Sequence, residues 1–120
     1  PYPLNIELMN KACEVLLKHD DFTSFSKLHS DVRTNTCRIY NAKWTEKDDM
    51  IIFTIEADRF LRNMVRAIVG TLIDVGLKKI TMVAFEHIIL ARNRKAASFS
   101  VPAQGLFLIK ISYPDSIRMC

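Results

Sequence analysis

The stretch ADRFLRNMVRAIVGTLIDVG, from Ala57 to Gly76, restricts the possible folds of this chain more than any other segment. Two apolar series run through it at intervals of four residues: Phe60, Met64, Ile68 and Leu72, and beside them Leu61, Val65, Val69 and Ile73. A helix with so broad an apolar surface has to pack against a sheet or other helices. We therefore predict a core helix over about Phe60–Val75 that ends at Gly76.

Three arginines accompany the apolar series, at spacings of three and four residues: Arg59, Arg62 and Arg66. In a continuous helix these spacings would place them on one stripe. Arg66 lies between two apolar residues, and a partly buried guanidinium needs an anionic partner, either a carboxylate or a phosphate. The alternative is a solvated helix edge. Gly70, one turn later, lowers helix stability unless another group has to approach closely there.

Shorter patterns predict the other elements, with helices over Asn5–Lys18 and Met82–Ala91 and strands over Cys37–Trp44, Met50–Glu56 and Leu106–Tyr113. The first two strands are joined by a short turn, which predicts an antiparallel pair. In the first of them, alternation places Tyr40, Ala42 and Trp44 on one face. Helices and strands are mixed without strict βαβ alternation. The pattern favours a single α+β domain over residues 1–120, with an antiparallel sheet packed by helices.

The charge balance is basic, with a net charge of +4 and a pI of about 9.1. A basic chain favours an anionic partner, nucleic acid above all, although many other proteins are equally basic. Five further cations bracket the predicted third helix: Lys78, Lys79, Arg92, Arg94 and Lys95. With Arg59 and Arg62 they are candidates for contacts to RNA phosphates, and ordinary solvated surface charge is the alternative.

Cysteine and histidine usage argues against metal chemistry. The three cysteines (Cys13, Cys37 and Cys120) are widely separated and form no zinc-binding spacing. We expect Cys13 and Cys37 to be buried free thiols in a reducing compartment, which indicates the cytoplasm. The three histidines are scattered, and no apolar run reaches the roughly 20 residues that span a bilayer. No metal site and no membrane segment are predicted.

Three phenylalanines in polar segments could stack on bases: Phe22, Phe25 and Phe99. Packing into the core or anchoring a loop is the alternative reading for each of them.

Several segments together resemble a known family. FLRNMVRAIVGTLIDVG, followed by ILARNRKAASFSVPAQGLFLIKISYP, resembles the C-terminal half of the tRNA pseudouridine synthases of the TruA type. The segments DDFTSF and IEADRFL are similar to family segments that precede these two. The resemblance covers nearly the whole chain in the expected order, and it implies a pseudouridine-synthase-like α+β fold.

The resemblance implies an isomerase that converts uridine to pseudouridine in the tRNA anticodon stem-loop, without cofactor or metal. The family is homodimeric, and an aspartate acts as its nucleophile. Its arginine in the sequence M-V-R corresponds to Arg66, which would pair with that aspartate and orient it. Its pocket leucine in the sequence G-L-[YF]-L corresponds to Leu106. Where the family often has glycine, this chain has Lys18.

The nucleophile of the family lies in a G-R-T-D-x-G motif of the N-terminal half, which this sequence does not contain. The segment VRTNT at Val32–Thr36 has Asn35 where an acid would be required. We therefore expect residues 1–120 to be the C-terminal half of the enzyme, inactive without its N-terminal half. Two alternatives stay open, a non-catalytic RNA-binding domain and a dimerisation domain.

Overall fold

The computed structural model describes residues 4–26, 36–48, 50–97, 100 and 109–112. In these residues three helices and three strands follow one another as α1 (Ile6–Leu16), β1 (Ile39–Lys47), β2 (Met50–Ala57), α2 (Met64–Gly76), α3 (Met82–Ala91) and β3 (Ile109–Ser112). Two 3₁₀ turns accompany them, at Thr23–Phe25 and Arg94–Ala96. The predicted α+β class is confirmed.

The sheet has the strand order β1-β2-β3. Strands β1 and β2 are antiparallel, as predicted, and Asp48 turns between them with a φ of 51°. Strand β3, however, runs parallel to β2, with Phe53 beside Ile109 and Glu56 beside Ser112. The predicted antiparallel sheet is therefore present as the β1–β2 pair, and β3 adds one parallel strand, an orientation that the sequence pattern did not indicate. Helices α2 and α3 lie between β2 and β3, and such a long crossover returns the chain to the same end of the sheet.

A β-bulge changes which residues of β1 face the core. The pairing register shifts between Ile39 and Asn41. As a result Ile39 and Ala42 are both buried, whereas Tyr40 is 48% exposed. The predicted common face of Tyr40, Ala42 and Trp44 is wrong at Tyr40, because an inserted residue shifts the alternation of side chains by one position.

The core lies between the sheet and the helices. Its largest fully buried side chains come from every layer and include Met9, Leu16, Phe53, Ile55, Met64, Ile68, Leu72 and Phe85. Asn10 of α1 also bonds to the backbone of β1. Its Nδ2 donates to the Trp44 carbonyl at 3.0 Å, and its Oδ1 accepts from the Trp44 amide at 2.6 Å. Because both backbone groups are engaged, Asn10 fixes the position of α1 along the strand.

Gly76 is the last residue of α2, as predicted, although its own backbone is not left-handed. The left-handed residue after the helix is Lys78, with a φ of 63°. A Cβ atom at Gly76 would lie 2.5 Å from Sδ of Met9 and 3.1 Å from Cδ2 of Leu4. The Asn5 amide also donates to the Gly76 carbonyl at 2.9 Å. A side chain at Gly76 would therefore have to displace Met9, because the start of α1 lies directly against the end of α2.

Several smaller predictions can be compared with the structure. Cys13 and Cys37 are buried free thiols, as predicted. Phe22 and Phe25 are fully buried, which makes them core residues and excludes base stacking in this conformation. Phe99 lies outside the described residues. No helix in the described part of the chain is long and apolar enough to cross a membrane.

Candidate functional site

The start of α2 is an unusual helix terminus. The helix begins at Met64, later than the predicted Phe60, because Asn63 adopts a left-handed conformation with a φ of 68°. Its side chain makes no capping bond to the helix. Instead, Asn63 Nδ2 donates to Oγ of Ser100 at 2.7 Å. Asparagine tolerates this backbone conformation better than most residues. The apolar series could not reveal this boundary, because apolar residues are buried on both sides of it, with Leu61 before the helix start and Met64 and Val65 after it.

A concave surface opens at this helix terminus, and we call it the basic cavity. Its volume is about 340 Å³, and its lining residues are Arg62, Asn63, Arg66 and Ser100. A smaller depression of about 170 Å³ also borders Arg66, with Leu61, Met64 and Val65 on its apolar side. The aligned peptide dipoles of α2 place about half a positive charge at the same end of the helix. The electrostatics of the cavity therefore favour an anion.

A third arginine is connected to the basic cavity through Ser100. Arg94 Nη2 donates to Oγ of Ser100 at 2.8 Å, and the same oxygen accepts from Asn63. The Ser100 hydroxyl thus joins the 3₁₀ turn Arg94–Ala96 to the start of α2. Through it, the structure brings Arg94 next to the cavity that Arg62 and Arg66 line.

Arg59 is not among the residues that line the basic cavity. It and Arg62 precede α2, so the predicted helical stripe of three arginines is wrong for both residues. Arg62 nevertheless shares the basic cavity with Arg66. Arg59 instead lies close enough to the Cys37 thiol to lower its pKa, against the larger effect of burial.

The other predicted cations separate into two groups at opposite ends of α3. Lys78 and Lys79 are exposed in the turn after α2, and the 13 residues of that helix extend about 20 Å. They therefore lie at the opposite end of α2 from the basic cavity. Arg92 and Lys95 follow α3 and are exposed near Arg94. The Nε atom of Arg92 lies 3.3 Å from a carboxylate oxygen of Asp21, so its charge is already partly balanced.

A larger cavity of about 510 Å³ lies elsewhere, and its lining residues include Lys18, His19, Asp20, Thr36, Cys37, Arg38 and Asp58. Cations and carboxylates balance one another there, and Asp58 accepts a hydrogen bond from the Arg38 amide at 2.8 Å. None of the predicted site residues that the structure describes lines it. The basic cavity, with its excess of positive charge, is therefore the better candidate.

The Cys37 thiol beside the larger cavity is not a nucleophile at neutral pH. Burial, with a smaller contribution from Asp58, raises its pKa to about 12, and Arg59 opposes the shift. The thiolate is the reactive form of cysteine, and a pKa this high keeps the thiol protonated near pH 7.

The side chains that line the basic cavity can bind and orient an anion. The arginines and Asn63 donate hydrogen bonds, and the described lining contains no carboxylate, imidazole or thiol. In the described part of the chain, no group of three or more His, Cys, Asp or Glu side chains could hold a metal ion. Leu106, the predicted pocket residue, lies outside the described residues.

Two polar residues of this site were missed at the sequence level, Asn63 and Ser100. Asn63 follows an arginine within an apparently helical pattern, and its tolerance of left-handed conformations was the one available signal. Ser100 gave no signal, because its contacts are to residues distant in sequence.

Comparisons with known proteins show which family the chain resembles. The profile of a family described as tRNA pseudouridine synthase matches residues 12–114. A tRNA pseudouridine synthase A from Parabacteroides distasonis is 54% identical over 117 residues, which are 98% of this chain and 46% of that protein.

Two further relatives show the same partial coverage. The tRNA pseudouridine synthase A of Bacteroides fragilis is 53% identical over 116 residues, covering 96% of this chain and 46% of the relative. That of Clostridium acetobutylicum is 43% identical over 112 residues, covering 93% and 46%. The chain thus spans about half the length of the relatives that it matches.

Proposed function

We propose that this chain, which belongs to the tRNA pseudouridine synthase family, supplies the RNA-binding and aspartate-orienting half of an enzyme that isomerises uridine to pseudouridine. The substrate would be the anticodon stem-loop of tRNA, and the proposed location of the enzyme is the cytoplasm. The nucleophilic aspartate would come from the N-terminal half of the fold. Leu106 would form a wall of the uracil pocket.

One observation carries this proposal. Arg66 is half-buried where α2 begins, and it shares a cavity of excess positive charge with Arg62. A guanidinium presents five N–H donors in one plane, so it can hold a carboxylate in addition to its contacts within the chain. An aspartate that enters this cavity would be kept ionised and held in one orientation. Both properties are required of a carboxylate nucleophile.

In the reaction, uracil is detached from the ribose, rotated, and rejoined through carbon, after attack by the aspartate on the sugar or on the base. Arg66 stabilises the carboxylate before attack and after its release. This chain makes and breaks no covalent bond itself. Its contribution is to hold the aspartate and the RNA in the reactive geometry.

The cations around the cavity would bind the RNA backbone. Arg62 and Arg94 are the best placed, because both lie at or beside the basic cavity. The remaining predicted contacts are Arg59, Lys78, Lys79, Arg92 and Lys95, which would reach phosphates farther from the reacting uridine. Contacts of this kind need only charge and tolerate loose geometry, and they weaken as salt is added.

We further propose that the enzyme is a homodimer. Val83 and Leu90 are 65% and 54% exposed on α3. They are seven residues apart and therefore share a helix face. Sedimentation should show concentration-dependent association of the chain. A monomer throughout the micromolar range would contradict dimerisation through this chain.

An RNA-binding domain without a catalytic role is the alternative function, since the basic cavity would serve it equally well.

The proposal can be tested with a mass-spectrometric pseudouridine assay on unmodified tRNA. Three samples are compared: this chain, the N-terminal half of the Parabacteroides distasonis relative, and a mixture of the two. We expect pseudouridine in the mixture alone. Activity of the chain by itself would disprove the absence of a nucleophile. An inactive mixture, with the two halves associated and the intact relative active, would favour the non-catalytic alternative.

A further inference from the structure

Ser24 is a completely buried serine between two buried aromatic residues, in the 3₁₀ turn Thr23–Phe25. A buried hydroxyl is unfavourable unless it is hydrogen-bonded. The Ser24 hydroxyl makes two long-range bonds. Its O–H donates to the Ile88 carbonyl at 2.6 Å, and its oxygen accepts from the Asn93 amide at 2.9 Å. It thereby joins the last turn of α3 to Asn93, the second residue after the helix.

The turn that Ser24 holds is conformationally unfavourable on its own. Arg92 adopts a left-handed conformation, with φ 51° and ψ 42°. For a residue with a Cβ atom this conformation requires support from its surroundings. Asp21 supplies a second support, because its carboxylate lies 3.3 Å from Nε of Arg92. Asp21 is itself held by Thr23, whose hydroxyl donates to the other carboxylate oxygen at 2.7 Å.

A series of contacts leads from this turn to the basic cavity. Asn93 Oδ1 accepts from the Lys95 amide at 3.0 Å and so begins the 3₁₀ turn Arg94–Ala96. Arg94 then donates to Ser100, which lines the cavity and also accepts from Asn63 at the start of α2. The orientation of Arg94 therefore depends on where Asn93 is held.

We propose that Ser24 is a positioning residue for RNA binding: its hydroxyl fixes Asn93, and through it directs Arg94 towards the basic cavity. Ser24 does not contact RNA itself. This inference rests on the proposed function, because it takes Arg94 as a phosphate contact.

The first test measures the positioning contact without RNA. Amide hydrogen exchange at Asn93 is followed by NMR in the chain and in Ser24→Ala. Losing the acceptor should speed exchange by about tenfold, as expected for one hydrogen bond. Ser26→Ala is the matched control, since its buried hydroxyl donates to the Thr23 carbonyl within the same segment. That variant should leave the Asn93 amide protected.

Unchanged exchange at Asn93 in folded Ser24→Ala would overturn the inference. If Ser24→Ala does not fold, Ser24→Cys replaces it, because a thiol is of similar size and a weaker hydrogen-bonding group. The thiol should also increase exchange at Asn93. Protection equal to that of the unmodified chain would again overturn the inference.

The second test asks whether Ser24 acts through Arg94. Affinity for unmodified tRNA is measured at low salt for the chain, Ser24→Ala, Arg94→Gln and the double variant. We expect Ser24→Ala to weaken binding by about fivefold, and to have no further effect once Arg94 is replaced, because coupled residues are non-additive. A general loss of structure would instead weaken binding equally in both backgrounds, which would overturn the inference.

The two tests also separate this inference from the proposed function. If the unmodified chain does not bind tRNA at low salt, the RNA-binding role fails, and the positioning role in RNA binding fails with it. The exchange of the Asn93 amide then still shows whether Ser24 holds the turn.

Discussion

The two ends of α2 are held by different forces. At the C-terminal end, Gly76 lies against Met9 and Leu4 without space for a side chain, and its carbonyl accepts from the Asn5 amide. At the N-terminal end, Asn63 is left-handed and directs its amide away from the helix, towards Ser100. One end is closed by packing. The other is open, basic and held by hydrogen bonds between polar side chains.

This difference separates stability from function along a single helix. Dense packing makes the end near Gly76 sensitive to the addition of even one methyl group. Charged and polar residues at the open end can be substituted at little cost in folding free energy, because solvent or a ligand can form hydrogen bonds with the groups that remain. Substitutions at the closed end should therefore alter stability, and substitutions at the open end should alter activity and RNA affinity.

The largest expected effect is at the open end. In the mixture of the two halves, Arg66→Ala should lower kcat/KM by a hundredfold or more, since breaking a buried ion pair costs about 3–5 kcal/mol. Initial rates at subsaturating tRNA measure the loss. Arg66→Lys is the control that keeps the charge but not the planar donor pair. Its kcat/KM should lie between that of the unmodified chain and that of Arg66→Ala. Near-normal turnover by Arg66→Ala would remove Arg66 from the site.

At the closed end the expected effect is on folding. Gly76→Val should lower the free energy of unfolding by about 1–3 kcal/mol, because its side chain would overlap Met9. Urea denaturation measures it, with tRNA affinity unchanged in the folded fraction. Met9→Ala makes space, so the double variant should lose less stability than the sum of the single variants. Strict additivity would show that Met9 is not the obstacle.

A smaller effect is expected on the salt dependence of tRNA affinity when a single charge is removed at either end of α2. Arg62→Gln should reduce the slope of log affinity against log salt by about 0.7–0.9, the value for one lost phosphate contact. Lys79→Gln removes the same charge from the far end of α2 and should change the slope by less than half as much. Equal slopes for the two variants would indicate that tRNA affinity depends on the net charge of the chain alone and not on where the charge lies.

The smallest expected effect is a difference between the two buried thiols. Burial raises the pKa of Cys13 to about 12, with Trp44 opposing the shift and Glu14 adding to it; the pKa of Cys37 is also about 12. At pH 8 each thiol should therefore react about a thousandfold more slowly than a free cysteine of pKa 9.0, and faster as the pH rises towards 12.

The same thiols report on the two helix ends. Cys13 is one turn from Met9, at the closed end, and Cys37 lies 3.6 Å from the sulfur of Met64, at the open end. With Cys120 replaced by serine, alkylation followed by mass spectrometry should modify Cys37 a few times faster than Cys13. The reverse order would mean that the end at Gly76 opens more readily.

Raised thiol pKa values also affect stability at high pH. The folded state binds the thiol protons more tightly than the unfolded state does. The contribution of each thiol is therefore fully present below pH 9 and is lost progressively as the pH rises towards 12. A Cys13→Ala variant should show a weaker loss of stability over that range than the unmodified chain.

Features determined by neighbouring residues were predicted well. The first helix was predicted from Asn5, and Asn5 is its cap, accepting from the Leu8 amide at 3.0 Å; α3 has the predicted bounds Met82–Ala91. Both follow from residues within one helical turn, where the period of apolar side chains and the capping groups are local. The buried thiols and the half-buried Arg66 could be inferred for the same reason, since an apolar sequence environment predicts burial.

The errors have one common cause, which is contacts between distant residues. The bulge at Tyr40 depends on the pairing of β1 with β2, and the left-handed Asn63 depends on Ser100, 37 positions later. The local pattern of apolar and polar residues predicts neither of them. For the same reason the sequence pattern grouped Arg59 with the cavity arginines, although Arg59 precedes the helix that was expected to align them.

By itself, the sequence determined the presence and order of the helices, the first strand pair, most of the buried apolar residues, and the motifs that identify the family, because each of these is a property of neighbouring residues. Only the tertiary structure decided which polar groups meet. The Asn93 amide finds its acceptor in Ser24, 69 residues away, and Arg94 reaches Asn63 through a single hydroxyl. Hydrogen bonds are short-range and directional, so a cavity built from them exists only once packing has brought its parts within about 3 Å.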